Sequence, residues 1–304
     1  MSLPYYFEIH GTGFLIACIL LGIMVGSFLN VVILRLPVIM ERSWRHRCFE
    51  WLHEARPGIP GDPSSGASDK LATPTVEEPF NLLVPRSRCP NCTHTLSVLE
   101  NIPIISYLFL RGRCSACHTP ISKRYPFIEL LSGVMTGVVV WKFGFGVHGV
   151  GALILTWALI TLAFIDLDHQ QLPDEITLPM LWTGLVFNLF DVYSGVEDSV
   201  IGAILGYGIL WGVYWLFRLS TGKEGMGYGD FKLLAMVGAW LGWQALPAII
   251  LISSTMGALV GIALLLRGRD RNIPIAFGPY LAIAAWIALL WGDDITQWYW
   301  GIWA

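Results

Sequence analysis

Apolar residues in this chain fall in long runs rather than at the three-and-four spacing of a surface helix. Stretches of about 20 such residues are long enough to cross a hydrocarbon core. On that criterion the pattern predicts eight spans, near residues 12–34, 126–143, 149–166, 175–192, 198–217, 230–246, 247–266 and 275–292. Only the turn around Pro247 separates the sixth from the seventh, so seven is the alternative count. The expected fold is an all-α polytopic membrane protein of about eight transmembrane helices, with the lipid bilayer as its surroundings. The first run, Gly11 to Ile33, lacks a basic leading region and is long enough to span. It is therefore read as a helix and not as a signal peptide.

Composition agrees with this picture. Of 304 residues, 55% are hydrophobic and 13% charged, where a soluble domain carries about a quarter charged residues. The 14 Trp fit a protein whose helices cross the membrane–water interface many times. The net charge of −3 says little, but the placement of charge says much. Between spans one and two lie twelve Lys/Arg, from Arg35 to Arg124. Arg218, Lys223 and Lys232 follow span five, and Arg267, Arg269 and Arg271 follow span seven. Only Lys142 falls on the other side, so 18 of 19 basic residues share one face. The positive-inside rule makes that face cytoplasmic and turns both termini outward. No nucleic-acid partner is expected.

The chain then divides into a first transmembrane helix (1–34), a cytoplasmic insert (35–125) and a helical membrane domain (126–304). Within the insert, residues 57–79 are rich in Pro, Gly and Ser and read as a flexible linker. Residues 40–56 have the composition of a short amphipathic helix, either lying on the membrane surface or packed on the rest of the insert. No internal repeat is evident.

The insert carries Cys89-Pro-Asn-Cys92 and, after 21 residues, Cys114-Ser-Ala-Cys117. Two Cys-x-x-Cys knuckles at this separation can supply four thiolates to one tetrahedral Zn²⁺. Structural disulfides are not expected on a reducing cytoplasmic face; four free thiols or a redox pair are the alternatives. With four protein ligands the zinc would be structural, clamping a small loop-rich domain. Cys18 reads as packing within span one, and His94 and His118, beside the knuckles, read as surface residues.

Carboxylates near hydrocarbon are functional candidates by default. Span three runs into Ile165-Asp166-Leu167-Asp168-His169, followed by Leu172-Pro173-Asp174, and span six follows Gly227-Tyr228-Gly229-Asp230. The topology puts both segments on the cytoplasmic side, so Asp166 and Asp230 can meet at one depth. The glycines permit close backbone approach there. Two adjacent carboxylates cannot both ionise and hold one proton between them, which is the machinery of aspartic proteolysis. The alternatives are solvated boundary residues at helix ends, or a metal site of Asp166, Asp168, His169 and Asp174.

Several blocks, taken in order, resemble the type IV prepilin peptidases, the bifunctional leader peptidase/N-methyltransferases of pilus and type II secretion systems. They are Gly26-Ser27-Phe28-Leu29-Asn30-Val31-Val32 with Arg35-Leu36-Pro37, and then the paired knuckles. Asn101-Ile102-Pro103, Ser106-Tyr107 and Ile121-Ser122-x-Arg124-Tyr125-Pro126-x-x-Glu129 come next. Ile165-Asp166 through Leu172-Pro173-Asp174 and Gly227-Tyr228-Gly229-Asp230-x-Lys232 complete the set. Residues 40–85 are the main departure. The resemblance implies a GxGD-type intramembrane aspartyl peptidase of the bacterial inner membrane with Asp166 and Asp230 catalytic. Gly227 and Gly229 would form the backbone of the active site. In the family the first catalytic Asp stands six residues before the Leu-Pro, which selects Asp166 over Asp168 and Asp174. The resemblance further implies prepilin or pseudopilin substrates whose basic leader is cut off. The new N-terminus is then methylated with S-adenosylmethionine, whose binding residues do not carry over.

Two other functions fit parts of the pattern: a transporter or channel using the carboxylates as a proton or ion site, and a peptidase lacking the methyltransferase. Transport sites sit near the bilayer midplane, whereas these carboxylates cluster at one edge.

Overall fold

The computed structural model describes residues 3–55, 80–97, 99–144, 146–223, 225–268 and 275–301. Among these the architecture is all-helical, apart from two isolated antiparallel bridges. The helices are α1 (Leu3–Ala55), α2 (Ile105–Phe109), α3 (Arg124–Phe143), α4 (Val147–His169) and α5 (Asp174–Asn188). They continue with α6 (Val196–Thr221), α7 (Tyr228–Leu241), α8 (Leu246–Leu266) and α9 (Gly278–Gly301). A helix lies at each of the eight expected spans. Five regions, within α1, α3, α4 and α6 and from Trp243 to Leu266, are long and apolar enough to cross a membrane. With 15 and 14 residues, α5 and α7 reach only about 21–23 Å, less than the ~30 Å of a hydrocarbon core.

The sixth and seventh spans are separate helices. The break comes earlier than Pro247: Gly242 adopts φ +79°, a short 3-10 turn covers Trp243–Ala245, and Pro247 sits in the first turn of α8. That is where a missing N–H costs nothing. Local chemistry sets other boundaries. Asp174 and Glu175 open α5, and Glu197 and Asp198 open α6, where acidic groups favour the helix dipole. The left-handed residues Gln170 and Gly222 close α4 and α6.

The chain forms two compact units, Met1–Asn30 with Arg124–Ala304, and Val31–Lys123. In the first, α1 and α3 meet through paired Gly-x-x-x-Gly steps, Gly22/Gly26 on one helix and Gly133/Gly137 on the other. A Cβ on Gly26 would come within 2.8 Å of Glu129 Cα, and one on Gly133 within 2.5 Å of Ile23. Small residues of this kind let membrane helices approach closely, and Ser132 Oγ donates to the Gly22 carbonyl across 2.8 Å. The same device joins α6 to α7, where Gly202 and Gly238 face each other and Gly206 lies against Leu234. Phe231, Leu233, Leu234, Met236 and Trp240 of α7 are fully buried, so this short helix forms the core of the bundle. Trp240 stacks on Phe187 at 5.3 Å and donates from Nε1 to the Met180 carbonyl across 2.7 Å. Ile16, Leu20, Met24, Leu259 and Leu266 are exposed, as lipid-facing residues are.

In the second unit the expectation for residues 40–56 is corrected. There is no separate surface helix there: residues 40–55 are the last turns of α1, which runs on through Pro37. Arg35 clamps the returning chain, donating to the carbonyls of Asn81 (3.0 Å), Leu82 (3.3 Å) and Pro85 (2.7 Å). The proposed linker, 57–79, lies outside the described residues.

Candidate active site and metal centre

The four cysteines sit on two copies of one hairpin, a repeat that the sequence reading missed. Each position of the second copy is 25 residues on from the first (Cys89 and Cys114, Cys92 and Cys117). Arg88 bridges Thr95 as Arg113 bridges Pro120. Cys89 N–H donates to His94 O and Cys114 N–H to Thr119 O, both at 2.9 Å, while Thr93 and His118 both take φ +57°. The matching Cys-x-x-Cys spacings were the signal that could have revealed it. Cys89 Sγ lies 3.7 Å from Cys117 Sγ and Cys92 Sγ 3.9 Å from Cys114 Sγ, and all four lie within 4.8 Å of one another. Tetrahedral Zn–S bonds of about 2.3 Å require sulfurs about 3.8 Å apart. The four thiols therefore fit a zinc ion. The Thr119 hydroxyl lies 3.2 Å from Cys117 Sγ and lowers the pKa of that thiol.

Glu100 joins the hairpins. Its carboxylate accepts from Ser97 N–H (2.8 Å) in the first and from the Ser115 hydroxyl in the second. Those contacts, the Ser115 hydroxyl foremost, hold its carboxyl down at about 2. His94 and His118 both lie at the surface as expected: the His94 side chain is 38% exposed, although its Nε2 is shielded from solvent 3.5 Å from Glu100, and His118 is exposed.

At the other candidate site, Asp166 occupies the last turn of α4 and Asp230 the first turn of α7. Both are buried, at 5% and 8% exposure. Asp166 Oδ2 accepts the backbone N–H of Gly278, the first residue of α9, across 2.9 Å. Asp230 N–H donates to the Gly227 carbonyl across 3.3 Å. A Cβ on Gly229 would stand 2.9 Å from Leu172 Cβ, and one on Gly227 would stand 4.0 Å from Asp230 Oδ2. Gly229 thus admits the close approach of the Leu172-Pro173 corner.

The neighbouring carboxylates differ. Asp168 accepts from Arg124 at 2.8 Å, and Asp174 takes a two-oxygen clasp from Lys232 Nζ at 2.8 and 2.7 Å. Among the described residues neither Asp166 nor Asp230 has a Lys, Arg or His ion-pair partner. Nor is the alternative metal site of Asp166, Asp168, His169 and Asp174 formed: the described metal-donor cluster is the cysteine one. Sequence reasoning missed the Phe277-Gly278-Pro279 segment, which supplies a backbone donor to Asp166. Its one signal was a Gly-Pro pair opening an apolar run.

These features define a helical membrane protein with two buried carboxylates that have no ion-pair partner among the described residues, and with a four-cysteine centre. Residues 20–143 match the bacterial peptidase A24 N-terminal domain, and residues 153–262 match the type IV leader peptidase family. Among curated proteins, the chain is 52% identical to a prepilin leader peptidase/N-methyltransferase of Stutzerimonas stutzeri, covering 94% of this chain and 93% of that one. It is 53% identical to the protein of that name from Aeromonas hydrophila (92% and 91%) and 51% identical to that of Pseudomonas aeruginosa (98% and 98%). No solved structure matches. The chain belongs to the type IV leader peptidase family, and it is a multi-pass membrane enzyme.

Proposed function

We propose that this chain removes the basic leader from prepilins or pseudopilins at the cytoplasmic edge of the bacterial inner membrane, with Asp166 and Asp230 as the catalytic dyad. The observation that carries this reading is the contrast among four carboxylates in one neighbourhood. Asp168 and Asp174 are neutralised by Arg124 and Lys232, while Asp166 and Asp230 are buried with no ion-pair partner among the described residues. A buried acidic pair holds one proton between its members. The ionised carboxylate takes a proton from water as the water oxygen attacks the scissile carbonyl carbon. The protonated partner meanwhile polarises the carbonyl oxygen. Collapse of the tetrahedral intermediate breaks the C–N bond, the leaving amine takes a proton, and the dyad returns to its singly protonated state. Gly278 N–H holds one oxygen of Asp166 through this cycle, and Gly229 keeps α7 against the Leu172-Pro173 corner.

The cytoplasmic position rests on the basic-residue asymmetry, and it suits a substrate whose apolar helix lies in the bilayer and whose basic leader lies outside it. Cys89, Cys92, Cys114 and Cys117 hold a structural zinc, which ties the two hairpins into one fold. The names of the relatives support a second activity on the same substrate, N-methylation of the residue exposed by cleavage. When bound, S-adenosylmethionine supplies the methyl group. Co-expression with a prepilin, followed by mass analysis of the pilin N-terminus, tests both activities together. A shortened, methylated chain is expected. An unprocessed chain would refute the peptidase, and a shortened, unmethylated one the methyltransferase.

A further inference from the structure

The second unit shows an apolar face that its own fold does not cover. Helix α2 is held by Tyr107, whose hydroxyl donates to the Ile121 carbonyl across 3.5 Å and whose ring lies against Gly112. Residues one helical turn apart share a face, and on the face turned away from Tyr107 stand Ile105, Leu108 and Phe109. They are 52%, 68% and 84% exposed, and Leu99, just upstream, is 75% exposed. Apolar groups grouped in this way on a polar segment mark an interaction surface. The surrounding charge narrows the partner. Arg111 and Arg113 follow at once and are exposed. Between residues 99 and 123 the basic side chains are Arg111, Arg113 and Lys123, against one acid, Glu100. Glu100 is occupied by Ser97 and Ser115. A protein partner with a basic contact segment would be repelled here, whereas an anionic surface would be attracted. Along the chain, the unit begins within the apolar helix α1 and ends at Lys123, the residue before α3.

We propose that Leu108 and Phe109, with Ile105 and Leu99 beside them, dip into the interfacial region of the membrane, and that Arg111 and Arg113 bind anionic phospholipid headgroups next to them. Apolar and aromatic tips flanked by basic residues bind anionic interfaces through these two terms together. The zinc hairpins would then hold the anchor rigidly, and the anchor would hold the unit against the bilayer.

The test uses the full-length, zinc-loaded protein in vesicles of phosphatidylcholine with phosphatidylglycerol. In a Cys48→Ser background, Phe109→Cys carries an environment-sensitive fluorophore, and Thr95→Cys, an exposed position on the first hairpin, is the control. Protein without an added cysteine checks that the zinc thiolates stay unlabelled, and zinc content checks the fold. Lipid-borne nitroxide is expected to quench position 109 several-fold more than position 95, and aqueous iodide several-fold less. Replacing both arginines (R111E, R113E) or omitting phosphatidylglycerol is expected to shrink that difference. Iodide quenching at 109 equal to that at 95 would overturn the proposal. So would protection from both quenchers, which would mean that the face is covered by protein. Leu108→Cys repeats the measurement should the Phe109 variant lose zinc.

Discussion

The backbone N–H of Gly278 donates to Asp166 Oδ2 across 2.9 Å, joining the start of α9 to the end of α4 over 112 residues of sequence. This contact needs glycine for a steric reason: a Cβ at position 278 would stand 2.7 Å from the oxygen that the amide holds. Gly278→Ala should therefore displace the Asp166 carboxylate while leaving the helices in place. Leader cleavage should fall on the order of 10²-fold, the cost of misplacing a reacting group by about 1 Å, with membrane insertion unchanged. Quantifying processed prepilin against membrane-inserted protein checks this.

Asp168→Asn and Asp174→Asn should keep most of the cleavage activity, because each side chain serves an ion pair. Those pairs are partly solvent-exposed, so losing one should change stability by no more than about 1 kcal/mol. A double-mutant cycle of Lys232→Met with Asp174→Asn, read by thermal unfolding in detergent, should return a coupling of that size.

The contact of α1 with α3 should be sensitive to single methyl groups. In Gly26→Ala the new Cβ meets the backbone of Glu129 at 2.8 Å, which cannot swing aside as a side chain would. A destabilisation of about 1–3 kcal/mol is expected for overpacking of this kind. Thermal unfolding of the purified variant measures it, and an unchanged midpoint would contradict the close packing.

Glu100 gives the zinc unit a dependence on pH with a definite sign. Its carboxyl is lowered from 4.5 to about 2 by the Ser115 hydroxyl and the Ser97 contacts. A carboxyl lowered in the folded state contributes stability above its unfolded value and loses it as pH falls through its folded value. The stability difference between wild type and Glu100→Gln should therefore be flat above 4.5 and shrink from there toward 2. Denaturant titrations across that range would reveal it.

The sequence made the helices legible because lipid demands long apolar runs, and the four cysteines legible because zinc demands fixed spacing. The sites that escaped reading share one property: they act through backbone or through missing atoms. Gly278 contributes an amide, and Gly22, Gly26, Gly133 and Gly137 contribute absent side chains, so none leaves a charge or a hydropathy signal. The unbroken passage of α1 through Pro37 was hidden for the opposite reason. A proline reads as a boundary, yet here the helix continues to Ala55. The joining of the two hairpins by Glu100, through Ser97 and Ser115, is a tertiary contact that no local pattern shows.

In the proposed reaction, leader cleavage depends on Asp166 and Asp230. The most direct measurement is cleavage of a co-expressed prepilin by Asp166→Asn and by Asp230→Asn, each read by mass analysis of the pilin N-terminus beside Asp168→Asn and Asp174→Asn. Loss of cleavage in the first two variants, with the protein still inserted and cleavage largely kept in the second two, is the predicted result. Near-normal processing by either Asp166→Asn or Asp230→Asn would contradict it.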